Sequence, residues 1–581
     1  MINLTIDGKQ VEIEKGSTIL AAARKIDIDI PTLCFLKEIN EVAACRMCLV
    51  EIEGRNGYVA SCVYPAEDGM VIKTNTKGLI DTKKTLLKLL LSNHNKMCLT
   101  CVRSTNCELQ AMCKRFGIEE VEYEGNMTKK VYDDISPCIV RDTSKCILCR
   151  RCVSICEKVQ GVAAIEVMNR GFDTVIGVAG NRPIIESTCV GCGQCIVNCP
   201  VGALTEKDDS KLVLEAINNP DIHVVVQTAP AVRATLGEEF GMPAGTLVTG
   251  KMVASLKKLG FDKVFDTDLG ADVTIMEEGT EFISRLNNGG KLPMITSCSS
   301  GWITYAEKFY PELLEHLSTT KSPMEILGVL IKSYYAKKTN IDPKKIYSVA
   351  LMPCSAKKAE IIRPELELDG IKQVDQVITT RELARMLKQA NINLNNLEDE
   401  DFDNPLGEAT GAGHIFGTTG GVMEAALRSI YEMYTGKELA KLEYTNVDNN
   451  ESIREAKVSL KDKDIWVVVA QGLKNASKIM DEIKDGTSKY SFIEIMTCPG
   501  GCIMGGGQPI HSSYSLSKIP LKNLRAKALY NADKNAKYRK SHDNPKVKKI
   551  YSEFLDEPNS KIAHELIHTK YSKQEVYVDL K

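Results

Sequence analysis

The sequence predicts a multidomain protein of mixed class, with α+β modules in its first third and a two-lobed α/β domain behind them. Three observations carry that prediction. Most of the 21 cysteines fall before residue 200 in tightly spaced groups, which build small ligand-held modules rather than one large core. From about Ser210 the texture changes. Apolar runs such as Val224 to Val226, Val349 to Met352 and Ile465 to Ala470 alternate with helical stretches such as Met252 to Leu259 and Glu278 to Leu286. The last cysteines sit in three short loops far apart in sequence, which suits a cofactor held at a seam between lobes.

Composition narrows the function classes. A net charge of −2 over 581 residues, with a pI near 6.5, offers no basic face for nucleic acid or an anionic membrane surface. No apolar run is long enough to span a bilayer, and Met1 to Gly8 alternates like a strand entering a turn rather than a secretion signal. The expected setting is the cytoplasm, where reducing conditions make clustered cysteines metal ligands rather than disulfides.

Residues 1–80 open with strands around Asp7-Gly8-Lys9 and a helix from Thr18 to Lys25, then carry Cys34, Cys45, Cys48 and Cys62. Four thiolates suit tetrahedral zinc as well as an iron–sulfur cluster. The β-rich setting, expected to be a β-grasp, and the clusters that follow favour a [2Fe-2S] ferredoxin-like domain. Residues 81–126 carry an apolar helical stretch from Thr85 to Leu91, then His94, Cys98, Cys101 and Cys107. One imidazole and three thiolates would suit structural zinc in isolation, whereas the position between two ferredoxin-like modules favours [4Fe-4S].

Residues 127–209 hold the strongest local signal. Cys146, Cys149, Cys152 and Cys156, then Cys189, Cys192, Cys195 and Cys199-Pro200, repeat the bacterial ferredoxin run. In such pairs the fourth cysteine ligates the other cluster. One [4Fe-4S] cubane therefore takes Cys146, Cys149, Cys152 and Cys199, and the other takes Cys189, Cys192, Cys195 and Cys156. Cys113 and Cys138 lack a ligand partner at useful spacing and read as buried filler.

Residues 210–581 form the α/β domain, with parallel strands expected to end at the cofactor. Its loops read Thr296-Ser297-Cys298-Ser299-Ser300-Gly301-Trp302, then Met352-Pro353-Cys354-Ser355-Ala356-Lys357, then Met496-Thr497-Cys498-Pro499-Gly500-Gly501-Cys502, which runs on through Gly505-Gly506-Gly507-Gln508-Pro509. Glycine has no Cβ and tolerates positive φ, so these runs are expected to bring backbone close to a large cofactor. No chemistry is expected of the chain after Leu524.

The second and third loops closely resemble signature loops of the iron-only, or [FeFe], hydrogenases of the monomeric clostridial type. The first two modules are similar to domains of those enzymes and of the large iron–sulfur subunit of respiratory complex I. The resemblance implies an H-cluster, a [4Fe-4S] cubane joined through one cysteine to a two-iron subcluster with CO, CN and a bridging dithiolate. One [2Fe-2S] and three further [4Fe-4S] clusters would accompany it. On this resemblance Cys354, Cys498 and Cys502 hold the cubane, with Cys502 bridging, and Lys357 donates to a cyanide, as an ammonium facing an anionic ligand. Ala229, Pro230 and Ala231 line the other cyanide. Ala231 stands where many relatives have serine, so one hydrogen bond is expected to be missing. Met352, Phe416 and Met496 match positions that pack against the cofactor. Glu278, Glu281, Arg285 and Ser318 match an outer proton path ending at a thiol, and Glu278 and Glu281 share a helix face.

The first loop departs from the family, which usually reads Thr-Ser-Cys-Cys-Pro-x-Trp, the first cysteine relaying protons and the second binding the cubane. This chain has Cys298, Ser299 and Ser300 there. In direct register Cys298 is the relay and Ser299 the fourth ligand. A shifted register makes Cys298 the ligand and leaves serines to relay protons; that is the expectation here, because thiolate is the stronger iron ligand.

The resemblance implies a hydrogenase, 2H+ + 2e− ⇌ H2, that exchanges electrons with ferredoxin or a similar small carrier and depends on H-cluster maturation proteins. The altered first loop also suits a hydrogen- or redox-sensing relative of low turnover. A non-catalytic electron-transfer or cluster-assembly protein of this fold should lack Lys357 and the Gly505 to Pro509 segment, and this chain has both.

Overall fold

Alternating burial along Ile2–Ile6 and Lys9–Ile13 puts Leu4, Ile6, Val11 and Ile13 inside, and the strands pair antiparallel across the Asp7-Gly8 turn. The computed structural model describes every residue except 124, 441, 462 and 578–581. Val71–Lys73 joins the first strand in parallel, and Leu49–Ile52 and Tyr58–Ala60 complete a mixed five-stranded sheet. The helix Ile19–Lys25 packs into the same core, and the Thr18 side chain caps it by accepting from the Ala21 N–H. The helices Lys77–Ser92 and Glu108–Phe116 frame the second module.

The two ferredoxin runs fold alike. Leu148 and Arg150 in one, and Gly191 and Gly193 in the other, take positive φ at matching places. That turn aims the Leu148 and Gly191 N–H groups at Cys146 Sγ and Cys189 Sγ, each at 3.4 Å. A non-glycine residue in the left-handed region costs about 1–2 kcal/mol, a strain that marks a backbone shaped around a ligand.

The α/β domain has two sheets. The first is fully parallel, in the order Lys263–Asp266, His223–Thr228, Ile346–Met352, Gln376–Thr379, and its strands are buried on both faces. The second sets Met294–Ile295, Phe492–Met496 and Lys463–Gln471 parallel, then adds Asn450–Leu460 and Thr445–Val447 antiparallel. The expectation of parallel sheets therefore holds for one lobe only. Asn450–Leu460 is tied to Lys463–Gln471 by a hairpin, and a connection that short admits only antiparallel pairing.

The cysteine loops all leave C-terminal ends of parallel strands. Met294–Ile295 runs into the Cys298 loop, Ile346–Met352 into Pro353-Cys354, and Phe492–Met496 into Thr497-Cys498. His223–Thr228 delivers Ala229-Pro230 to the same place. Open α/β sheets bind ligands at such ends.

The chain after Leu524 has a structural role that the sequence did not show. Buried Arg525 donates to the Ile503 carbonyl at 2.7 Å and pairs with Glu238 at 2.6 Å. Glu277 accepts from the Tyr551 hydroxyl at 2.5 Å and the Asn559 N–H at 2.7 Å, and lies 3.0 Å from His568 Nε2. The C-terminal helices thus fasten both the third cysteine loop and the helix Thr267–Asn288 that carries Glu278. Among the described residues no helix is long and apolar enough to cross a membrane.

Candidate functional site

The front modules converge on one ferredoxin site. The Asn40 side-chain amide donates to the carbonyls of Cys34 at 2.7 Å and Cys149 at 3.0 Å, and its oxygen accepts from Ser154 at 2.8 Å. From the second module, Arg103 donates to the Cys199 carbonyl at 3.0 Å. Cys149 and Cys199 line a cavity of about 450 Å³ together with Cys146 and Cys152, the grouping expected from the paired runs. The Cys34, Cys45, Cys48 and Cys62 thiols are buried together, with Cys48 Sγ 3.3 Å from Cys62 Sγ. His94 is buried with Nδ1 unpartnered, a nitrogen suited to a ligand, while Cys98 lies exposed and Cys101 and Cys107 half-buried. Cys113, read as filler, lies where the charges of Cys107 and Cys98 act on it. Burial pushes the Cys146 and Cys156 thiols up to about 11, so metal binding is what would deprotonate them near neutral pH.

The second ferredoxin run faces the α/β domain. Ser355 donates to the Gly191 carbonyl at 2.7 Å, Gln194 to the Met504 carbonyl at 3.0 Å, and Gln160 to the Thr497 carbonyl at 3.1 Å. Here the glycines of the third loop find their use. A Cβ on Gly506 would stand 2.4 Å from the Cys192 carbonyl oxygen, one on Gly505 2.3 Å from that of Pro353, and one on Gly501 2.7 Å from the Thr419 nitrogen. Whatever their part in approaching a cofactor, these glycines serve packing within the protein. They bring protein backbone against protein backbone, seating the third loop on the Cys192-Gly193 turn. Cys138, fully buried, packs its sulfur against Gly191 in that seam.

Between the lobes lies a cavity of about 580 Å³. Cys298, Ser299, Cys354, Cys502 and Lys357 reach it, and Ala229, Pro230, Met352, Phe416 and Met496 form its apolar wall. Cys498 is buried beside it, under the charges of Cys354 and Cys502. Ala231 does not line this cavity; its Cβ packs against Gly417. Lys357 supplies the charge. Burial acts to lower its pKa, but Glu360, with Nζ 2.6 Å from Oε2, outweighs it and holds the ammonium above its ordinary value. That contact is close but off-axis, so Nζ has no aligned hydrogen-bond acceptor. Thiols, an apolar wall and a buried ammonium with free N–H groups fit an anionic, sulfur-ligated group such as the H-cluster.

The residues expected on a proton path form two hydrogen-bonded groups, one at Glu278 and one at Glu281. Glu278 Oε1 accepts from the Ser297 N–H at 3.2 Å and lies 3.2 Å from the Ser297 hydroxyl, whose own proton goes to the Thr320 carbonyl at 2.5 Å; its Oε2 is unpartnered. Burial raises the Glu278 carboxyl to about 7, and the Ser297 N–H only partly opposes this. Ser318 donates to Glu281 Oε2 at 2.8 Å, and half-buried Arg285 donates to Glu281 Oε1 at 2.6 Å. Adjacent residues of the first loop both reach the cavity but have different neighbours. Cys298 lies under the charges of Glu278, Cys502 and Lys357, whereas Ser299 turns its hydroxyl to Thr497 Oγ1 at 2.9 Å, next to Cys498. Glu360, Ser300 and Ser322, which sequence reasoning did not single out, cluster behind Lys357; the signal available was the Lys357/Glu360 spacing of one helical turn.

Comparison with known proteins agrees across the whole chain. Residues 222–506 match the family described as iron only hydrogenase large subunit, C-terminal domain, and 520–574 match iron hydrogenase small subunit. Ahead of them, 1–77 match a 2Fe-2S iron-sulfur cluster binding domain, 83–122 the NADH-ubiquinone oxidoreductase-G iron-sulfur binding region, and 145–203 a 4Fe-4S dicluster domain. The chain is 47% identical to the NADP-reducing hydrogenase subunit HndD of Solidesulfovibrio fructosivorans, over 99% of both chains. It is 43% identical to iron hydrogenase 1 of Clostridium pasteurianum, over 99% of this chain and 100% of that one. Among solved structures, apo [FeFe]-hydrogenase HydA1 from Chlamydomonas reinhardtii superposes with a TM-score of 0.58 at 39% identity, covering 63% of this chain and 99% of the other.

Proposed function

We infer the function from the premise that this chain belongs to the iron-only hydrogenase family. It is an oxidoreductase for 2H+ + 2e− ⇌ H2. The observation that carries this reading is the cavity at the strand ends, where Cys354, Cys502 and Lys357 meet an apolar wall with Cys498 beside it. We assign Cys354, Cys498 and Cys502 to the cubane of an H-cluster, which when bound supplies the metal chemistry that makes and breaks the H–H bond. Ser299, beside Thr497, takes the fourth ligand place, and Cys298, beside Glu278, takes the terminal proton; this is the direct register rather than the shifted one.

The other residues have separable tasks. Met352, Phe416, Met496, Ala229 and Pro230 exclude water, which strengthens the Lys357 ammonium's hold on an anionic ligand. Glu278 holds a proton at a carboxyl oxygen between Cys298 and the Glu281, Ser318 and Arg285 end of the path. Electrons arrive through one [2Fe-2S] and three [4Fe-4S] clusters on the residue sets above, in the cytoplasm, from ferredoxin or a similar small carrier, after maturation proteins have built the H-cluster. The infrared spectrum of the matured protein tests the reading: CO and CN bands between the amide region and the water stretch are expected, and their absence would refute it.

Two further results are expected. Cys98→Ala or Cys199→Ala should slow electron exchange with an external carrier while sparing H/D exchange at the active site, which needs no net electrons. Equal loss of both in folded protein would make those clusters structural. A nicotinamide-reducing partner complex is the second reading, favoured by the full-length similarity to an NADP-reducing hydrogenase subunit. A nicotinamide-reducing protein that co-purifies with the chain and is needed for hydrogen-driven NADP+ reduction would favour the complex, and isolation of the chain without such a partner, reducing ferredoxin directly, would favour the direct carrier.

A further inference from the structure

Behind Lys357, away from the central cavity, stands a group that the reaction above leaves unused. Glu360 is buried and takes two hydroxyl donors, Ser322 Oγ at 2.5 Å on Oε1 and the Ser300 hydroxyl on Oε2, and its Oε2 forms an ion pair with the Lys357 ammonium at 2.6 Å. Only the serines bond it with good alignment; the ammonium approaches off-axis. A carboxylate oxygen offers two lone-pair directions, and a hydroxyl seated well on one of them changes how a neighbouring ammonium can sit.

We propose that Ser300 is a positioning residue for Lys357: by bonding Glu360 Oε2 it leaves the ammonium charged by the carboxylate yet not tied to it, so that its N–H groups stay directed into the central cavity. The proposal rests on the reading of that cavity as the H-cluster site and adds to it a determinant of how strongly the cofactor's anionic ligand is held. Ser300 stands where the signature motif carries proline, which has no hydroxyl to offer, so a chain with the motif's proline could not make this contact.

The same geometry argues against Glu360 as a second proton inlet. Lys357 is held above and Glu360 below its ordinary value by their pairing, so neither changes its proton readily near neutral pH, whereas Glu325, on the helix Pro323–Leu330, is raised to about 8 by burial and by Glu360 and stands beside them as a protonated carboxyl. Arg363 does not compete for Glu360, because it is paired with Glu307 and Glu365. A cavity of about 30 Å³ touches Ser300, Ser322 and Glu360, enough for a water to replace a deleted hydroxyl, so the variants should fold. Ser300 is also the first residue of the helix Ser300–Phe309, a position where proline is well tolerated.

The test uses Ser300→Ala and Ser300→Pro in the full chain, with two readouts independent of turnover. Crystal structures should show Lys357 Nζ rotated into an in-line bond with Glu360 Oε2 in both variants. Infrared spectra of the matured variants should show one of the two cyanide bands displaced and the other in place, with turnover reduced several-fold and iron content unchanged. An unmoved Lys357 with both cyanide bands at wild-type positions overturns the proposal. Cyanide bands missing from the wild type would instead refute the hydrogenase reading, and the crystal structures would still report whether Ser300 acts through Glu360, so the two failures are told apart.

Discussion

Glu278→Gln is expected to lower turnover by ~10²–10⁴-fold, the usual effect of a positioned proton-transfer group, while CO and CN bands and iron content stay at wild-type values. Glutamine preserves the shape and can still accept from Ser297, but it cannot hold a proton. The pH dependence follows from the raised carboxyl. Burial disfavours the charged form and sets the group near 7, so it is loaded with a proton below that pH and empty above it. Hydrogen evolution limited by proton supply should therefore fall as pH rises through about 7, and uptake, which needs the empty carboxylate, should rise. Stability carries the same sign. A carboxyl raised from its ordinary 4.5 contributes stability that is fully present below the unfolded value and is lost as pH rises through about 7. The loss is on the order of 3 kcal/mol, so the glutamine variant should melt higher than wild type at alkaline pH. Turnover within a factor of two of wild type would remove Glu278 from the path.

How far the sequence could be read depended on how local each interaction is. The ferredoxin runs were legible because ligation there is a matter of spacing, and the cavity lined by Cys146, Cys149, Cys152 and Cys199 follows from that spacing. The strand-end placement of the three cysteine loops was legible from α/β texture alone. The packing role of the third-loop glycines was not legible, because a glycine needed for close approach looks the same whether the neighbour is a cofactor or the Cys192 carbonyl. The role of the chain after Leu524 was invisible, since Arg525 acts on Glu238 and Tyr551 on Glu277, pairings 287 and 274 residues apart. The first-loop register was not legible for the same reason. Which way Cys298 and Ser299 face is set by Glu278, whose partner Ser297 is 19 residues away, and by Thr497, 198 residues from Ser299.

Cys298→Ala is expected to keep the cubane and lose ~10²–10⁴-fold in turnover, whereas Ser299→Ala should lower cubane iron content and its electron paramagnetic resonance signal. Under the shifted register the two phenotypes would exchange. The contacts favour the direct register: Cys298 lies under the charges of Glu278 and Lys357, and Ser299 meets Thr497 beside Cys498. Acidity then explains why the thiol is the one at the proton end. Burial pushes the Cys298 thiol well above its ordinary range, so it stays protonated and passes its proton only in concert with Glu278, whose carboxyl near 7 can refill it. A serine hydroxyl is a far weaker acid and a far weaker iron ligand than a thiol, so Ser299 leaves the cubane with three strong ligands and one poor one. Ser299→Cys should therefore raise iron retention under chelator challenge and shift the cubane's potential, with little change in the proton-limited rate. If Ser299→Cys instead accelerates proton-limited turnover and leaves iron retention unchanged, and Cys298→Ala loses the cubane, then Cys298 is the ligand and the serines carry the proton.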